Sequence, residues 1–149
     1  MSVEAETESE QLVLRFFATL SAGDLEGVRR MLHEQATWEA KVRSVPGAGV
    51  HRGPGGIVDE FLKPIRGLFR PGDPKILVDT IASRGNFVMI ESHSGGCMAD
   101  GRPYENLYAW AVEVRDGRIY ALREYFDSHY VMELFASSDP GTPSSPEAK

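Results

Sequence analysis

The sequence predicts an α+β fold: a largely antiparallel sheet with helices packed on one face. Three observations predict it. Helical periodicity comes early, strand-type alternation takes over from residue 75 onward, and the regular strand–helix–strand alternation that builds parallel sheets is missing. The order reads helix, helix, strand, helix, then four strands, with no internal repeat. A chain of 149 residues suits one domain with a real core, expected over 8–135, with flexible tails at 1–7 and 137–149.

Each element has a local reason. Thr7 and Glu10 have the spacing of a capping box, in which each side chain satisfies an orphan helix N–H. Leu12, Phe16 and Leu20 then recur at i, i+4, i+8, with Val13 and Phe17 widening the stripe, so this helix must bury one face. Gly23 can end it, and Asp24 can cap a second helix carrying Leu25, Val28, Met31 and Leu32. Residues 36–42 set Trp38, Ala40 and Val42 against Glu39 and Lys41, the period of a strand, until Pro46-Gly47-Ala48-Gly49 breaks it.

The stretch His51-Arg52-Gly53-Pro54-Gly55-Gly56 reads as a loop. A Gly-rich run before a helix can hold phosphate, but this one has no Walker lysine and follows no strong strand, so a plain helix start is the simpler reading. The third helix carries Ile57, Val58, Phe61, Leu62, Ile65, Leu68 and Phe69, and Pro64 should kink or split it by removing a hydrogen bond. Strands are expected over 75–83 and 87–94, then over the two arms of 102–127. There Asn106, Tyr108, Trp110, Val112 and Val114 alternate with Leu107, Ala109, Ala111 and Glu113, and Asp116-Gly117 supplies the hairpin turn. A short helix fits residues 128–135, and the Pro/Ser-rich run from Ser137 has the composition of a disordered tail.

Composition narrows the function classes. A net charge of -6 with no basic run argues against nucleic acid and anionic membranes as partners. No apolar run approaches the ~20 residues that a membrane span needs. One cysteine, Cys97, excludes an internal disulfide and suits a reducing compartment. With no signal-peptide pattern, a cytoplasmic location is the expectation.

The hairpin ends in the sharpest chemical clue, Asp127. A carboxyl among Tyr125, Phe126 and Trp110 would be partly desolvated, which raises its pKa toward a value useful for proton transfer. The alternative is that Asp127 caps the helix starting near Ser128. Glu91 and His93 share a strand face with Phe87 and Met89, where titratable groups need partners or a job. Either a proton relay or a surface ion pair would satisfy His93. On the last strand Ile119, Ala121, Arg123, Tyr125 and Asp127 share one face; Tyr120, Leu122, Glu124 and Phe126 share the other. Both faces are mixed, so alternation leaves the pocket side open, and a bulge could flip it. Arg123 can pair with Glu124, Glu113 or Glu105. Trp38, Asn106, Tyr108 and Trp110 are candidate pocket liners, Tyr108 and Asn106 for a carbonyl or water and the tryptophans for apolar shape. The histidines show no triad spacing, and Asp127 with His129 lacks a third metal ligand, so neither a metal nor a cofactor is expected.

The element order, with GVHRGPGGIVDEF and the closing VRDGRIYALREYFD, resembles the SnoaL-like branch of the nuclear transport factor 2-like superfamily over roughly residues 8–135. That resemblance implies a strongly curved sheet wrapped into a cone around an apolar pocket, closed by three helices. Its members include polyketide cyclases, ketosteroid isomerases, dehydratases, epoxide hydrolases and non-catalytic binding proteins. The closing Tyr-Phe-Asp is similar to the end of limonene-epoxide hydrolases, which matches Asp127 to their pocket carboxylate. Those enzymes carry Arg-x-Asp where this chain has Glu91-x-His93.

The expected function is therefore general acid–base chemistry on a small hydrophobic substrate. Isomerisation or aldol-type cyclisation of a ketone comes first, with Asp127, His93 and Tyr108 as catalytic groups. Trp38, Glu91, Asn106, Trp110 and Tyr125 are the expected substrate-binding residues. An epoxide hydrolase with an altered triad is one alternative, and sequestration of a hydrophobic molecule without turnover is another. The discriminator is geometric: Asp127 and His93 turned away from the cavity would favour binding alone. Aromatics on both faces of the hairpin further suggest a homodimer through the outer face.

Overall fold

The computed structural model describes residues 3–136. Helix α1 (Glu8–Ser21) buries Leu12, Val13, Phe16, Phe17 and Leu20, the stripe that the periodicity marks. Thr7 caps it by accepting from Glu10 N at 3.1 Å, as one half of a capping box should. The other half differs: the Glu10 carboxylate accepts from Glu6 N and from Ser83 Oγ, tying the helix start to the sheet. Gly23, at φ +77°, makes the turn into α2 (Leu25–Met31), which Asp24 caps through Gly27 N at 2.9 Å.

Strand β1 (Leu32–Ala40) follows α2 without a loop, so Leu32 opens a strand rather than closing a helix. Strand β2 (Gly49–Arg52) pairs antiparallel with β1, in a stretch that reads as loop in the sequence. The third helical segment is split where Pro64 demands it. A π-helical stretch, Gly55–Leu62, ends with Lys63 N–H donating to Val58 O, and a single turn, α3 (Lys63–Arg66), holds the proline at its start. Strands β3 (Lys75–Arg84), β4 (Phe87–Cys97), β5 (Pro103–Arg115) and β6 (Arg118–Phe126) complete the sheet, and α4 (Ser128–Ala136) closes the described chain. Asp116 and Gly117 both take positive φ, 54° and 70°, as a tight hairpin turn requires.

The six strands run β2-β1-β6-β5-β4-β3, antiparallel throughout except for the parallel pair β1–β6. This is an α+β, strongly curled, mainly antiparallel sheet with helices on its concave side. The core lies between them: Phe16, Phe17, Val28, Ile57 and Val58 from the helices meet Trp38, Ile90, Trp110, Val112 and Leu122 from the strands. No helix among the described residues is long and apolar enough to cross a membrane. The expected C-terminal tail, 137–149, lies outside the described residues.

One irregularity decides which side chains enter the concave side. Val114 pairs with Ile119 while Glu113 pairs with Ala121, so Tyr120 is an extra residue in β6. A bulge of this kind reverses the parity of everything beyond it. Ile119 and Leu122 are consequently both fully buried, although three positions apart.

Candidate functional site

Beyond the bulge, β6 turns Leu122, Glu124 and Phe126 inward and Arg123 and Tyr125 outward. Ala40 pairs with Glu124 and Trp38 with Leu122 across the parallel β1–β6 junction. The result is a cavity of about 80 Å³ at the wide end of the curled sheet. Ala40 and Glu124 form part of its wall, with Phe61, Ile65, Phe69, Tyr104, Tyr108, Phe126 and Phe135 around them and Pro46 and Gly47 over the top. Gly47, at φ +84°, lies where a Cβ would come 2.6 Å from the Phe61 ring, so only glycine lets this loop rest on the wall. His51, stacked on Phe61 with centroids 4.0 Å apart, donates from Nε2 to Gly47 O at 2.8 Å and pins the loop. Wider grooves beside Arg84 and Tyr120 (about 440 Å³) and beside Arg30 and Arg118 (about 580 Å³) are open and contain no buried carboxyl.

Glu124 is the acidic group of the cavity. It is 7% exposed, and Trp38 Nε1–H donates to its Oε1 at 2.9 Å. Among the described residues no Lys, Arg or His pairs with it; Arg123 pairs instead with Glu113 at 2.7 Å. Burial pushes its carboxyl up to about 7, against a smaller downward pull from the Trp38 hydrogen bond. Facing it is a hydroxyl pair. Tyr104 and Tyr108 share a hydrogen bond of 2.8 Å, and Asn106 Nδ2 donates to the Tyr104 oxygen at 3.0 Å. Burial raises both phenols above their ordinary range, most strongly for Tyr108, so both stay protonated.

The sequence-derived candidates divide around this cavity. Tyr108 lines it. Trp38 holds its carboxyl, and Asn106, buried, holds Tyr104 while its own Oδ1 accepts from Leu107 N at 2.8 Å. Trp110 lies one layer behind, stacked on Tyr108 and donating to Ser92 Oγ at 2.9 Å. Asp127 is elsewhere. It is exposed, and its Oδ1 accepts from Tyr130 N at 3.1 Å, the capping geometry for α4, so the expected desolvation among aromatics is absent. Glu91 and His93 do share a face with Phe87 and Met89, but it is the convex face. There His93 pairs with Asp79 at 2.9 Å, and Glu91 accepts from Thr80 Oγ1 at 2.8 Å. Tyr125 is exposed on the same convex side, opposite Ala109.

Glu124, Tyr104, Phe61, Phe69, Phe126 and Phe135 were not among those candidates. One signal was present for Glu124, its shared parity with Leu122 and Phe126, but the neighbouring Arg123 offered a simpler surface pairing. Since Asn caps a helix as well as Asp does, Asp127→Asn should leave stability within about 0.5 kcal/mol of wild type. Asp127→Ala should cost about 1 kcal/mol, both read by urea unfolding.

A model of the SnoaL-like domain matches residues 13–122 of the chain. Among solved structures, an NTF2-like protein of unknown function from Burkholderia pseudomallei is similar at a TM-score of 0.76 and 16% identity, covering 87% of this chain and 98% of that one. A putative isomerase from Bacillus subtilis is similar at 0.74 and 22% identity, over 87% of this chain and 93% of that one. An LEH-like epoxide hydrolase from M. tuberculosis is similar at 0.70 and 22% identity, over 90% of this chain and 97% of that one. At these identities the likeness is one of fold. No curated protein matches the chain.

Proposed function

Starting from the fact that this chain belongs to the SnoaL-like domain family, we propose that it is an enzyme moving a proton on a small hydrophobic ketone, with Glu124 as the general acid–base group. The observation that carries this reading is a buried carboxyl on the wall of an aromatic cavity, with its pKa pushed up to about 7. Such a group is part carboxylate and part acid near neutrality, so it can both take and return a proton. The Tyr104–Tyr108 hydroxyl pair supplies the complementary charge, because neutral phenols can donate to an oxygen that becomes negative when the adjacent carbon loses its proton. Trp38 orients the carboxylate through its indole N–H.

In this scheme Glu124 removes a proton from the carbon next to the carbonyl. The electron pair moves onto the carbonyl oxygen, which Tyr108 stabilises. The enolate then takes the proton back at another carbon (isomerisation), or attacks a second carbonyl, whose oxygen receives the proton from Glu124 (aldol-type cyclisation). Neither route consumes a cofactor.

The turning away of Asp127 and His93 would, by itself, favour sequestration without turnover. Glu124 reverses that balance by supplying the buried titratable group those two residues were expected to provide. Epoxide hydrolysis is less well supported, as the described residues of the cavity lining include one carboxyl and no arginine. Exchange of the α-protons of cyclohexanone in deuterated buffer tests the proposal without knowledge of the natural substrate. Exchange by the wild-type chain no faster than buffer would favour sequestration.

A homodimer through the convex sheet face accompanies this reading. Leu77, Phe87, Met89, Leu107 and Tyr125 are exposed there, with Leu107 at 70%. A two-fold contact would place each copy's apolar rows against the other's. Sedimentation at micromolar concentration should find a dimer, and Leu107→Asp should weaken it by about tenfold or more. A wild-type monomer under those conditions would remove this part of the proposal.

A further inference from the structure

We infer that the Glu124 cavity takes a small alkylammonium group, with the Glu124 carboxylate as its counter-charge and the surrounding aromatic rings as its walls. The inference rests on the reading of this cavity as the functional site and adds the charge of what enters it.

The carboxyl has one hydrogen-bond partner among the described residues, Trp38, and that bond goes to Oε1. Its second oxygen accepts from no described donor and is not sealed away from the cavity. A buried carboxylate without a cation is costly, and chains that keep one usually provide an arginine or lysine beside it. Here none of the described lining residues is basic. When Glu124 is ionised, no described side chain supplies the positive charge that would balance it.

The walls point the same way. Phe61, Phe69, Tyr104, Tyr108, Phe126 and Phe135 present six rings around one acidic group. Aromatic faces carry partial negative charge and attract cations, more strongly where water is excluded. An anionic ligand would meet repulsion from Glu124. A neutral ligand of the same shape would gain the apolar contacts but nothing from the charge. The volume of about 80 Å³ limits the buried part to a compact head group, as in a trimethylammonium. The chain's net charge of -6 favours the approach of cations over anions.

The preference should follow the ionisation of Glu124. The other titratable groups around it are Tyr104 and Tyr108, which burial keeps protonated, and His51, which reaches the wall through Phe61. Cation affinity should therefore rise with pH through about 7, where the carboxyl loses its proton.

Choline and 3,3-dimethylbutan-1-ol have the same shape and differ in a charged nitrogen against a neutral carbon. Calorimetric titration of the full chain at about pH 9 should find choline bound roughly tenfold or more tightly than the alcohol. At about pH 5.5, and in Glu124→Gln at either pH, choline's advantage should shrink to about threefold or less, the part that the rings supply. Phe69→Leu, which keeps bulk and removes a ring, should weaken choline about threefold or more and leave the alcohol nearly unchanged. Equal binding of the two by wild type at high pH, a preference undiminished in Glu124→Gln, or no binding of either would overturn the inference. Equal binding with intact cyclohexanone exchange would remove the cation and leave the proton-transfer reading standing.

Discussion

Replacing Glu124 by glutamine is expected to slow α-proton exchange of cyclohexanone by about 10²- to 10⁴-fold, the usual loss when a positioned general base is removed. The substitution isolates the chemistry. Glutamine keeps the length of the side chain and an Oε1 that can still accept from Trp38 Nε1, now 2.9 Å from the carboxyl oxygen. It removes the ability to take a proton, together with the carboxylate's charge. Among the described residues no other carboxyl lines the cavity to substitute for it. The wild-type rate should rise with pH through about 7 and level off above it, because the base form is the carboxylate. Asp127→Asn and His93→Gln should exchange at the wild-type rate, since one caps α4 and the other lies on the convex face. A Glu124→Gln protein that exchanges as fast as wild type would sink the assignment of Glu124 as the base.

The same residue should make wild-type stability depend on pH in a direction opposite to most carboxylates. The folded-state pKa is raised to about 7 from an ordinary 4.5. Below 4.5 both states hold the proton and the group contributes no pH dependence. Between 4.5 and 7 the unfolded chain has released its proton while the folded chain still holds it, so rising pH favours unfolding. Each pH unit costs about 1.4 kcal/mol, and the loss totals about 3 kcal/mol before levelling off above 7. Glu124→Gln has no such loss. Relative to wild type it should gain about 3 kcal/mol between about pH 4 and pH 8.5, measured by urea unfolding across that range. Taking the difference between the two proteins cancels the opposite trend from Asp59, whose carboxylate Arg29 and Lys63 hold below its ordinary range. Parallel stability curves for the two proteins would show that Glu124 titrates normally.

Much of the architecture is legible in local patterns. The stripe from Leu12 to Leu20, the break at Gly23, the split at Pro64 and the Asp116-Gly117 turn each follow from stereochemistry within a few residues. Strand β2 escapes that kind of reading, because Gly49–Arg52 is too short to alternate and exists only through its pairing with β1. The site was harder still. Asp127 looks chemical in sequence because it follows an aromatic pair, yet in the structure it is exposed and accepts from the N–H of Tyr130. Glu91 and His93 were placed correctly on one face of β4, but periodicity does not say which face is concave.

The chain's own residues determined the helices, the hairpin and the α+β class, since those depend on spacing and on backbone preference near each position. Only the tertiary structure decided which carboxyl would be buried against the cavity. A single extra residue at Tyr120 reverses the parity of β6, and a parallel pairing brings Trp38 to Glu124 across 86 positions of sequence. A pKa is set by the water and charge around a group, and those surroundings are assembled only when distant strands meet.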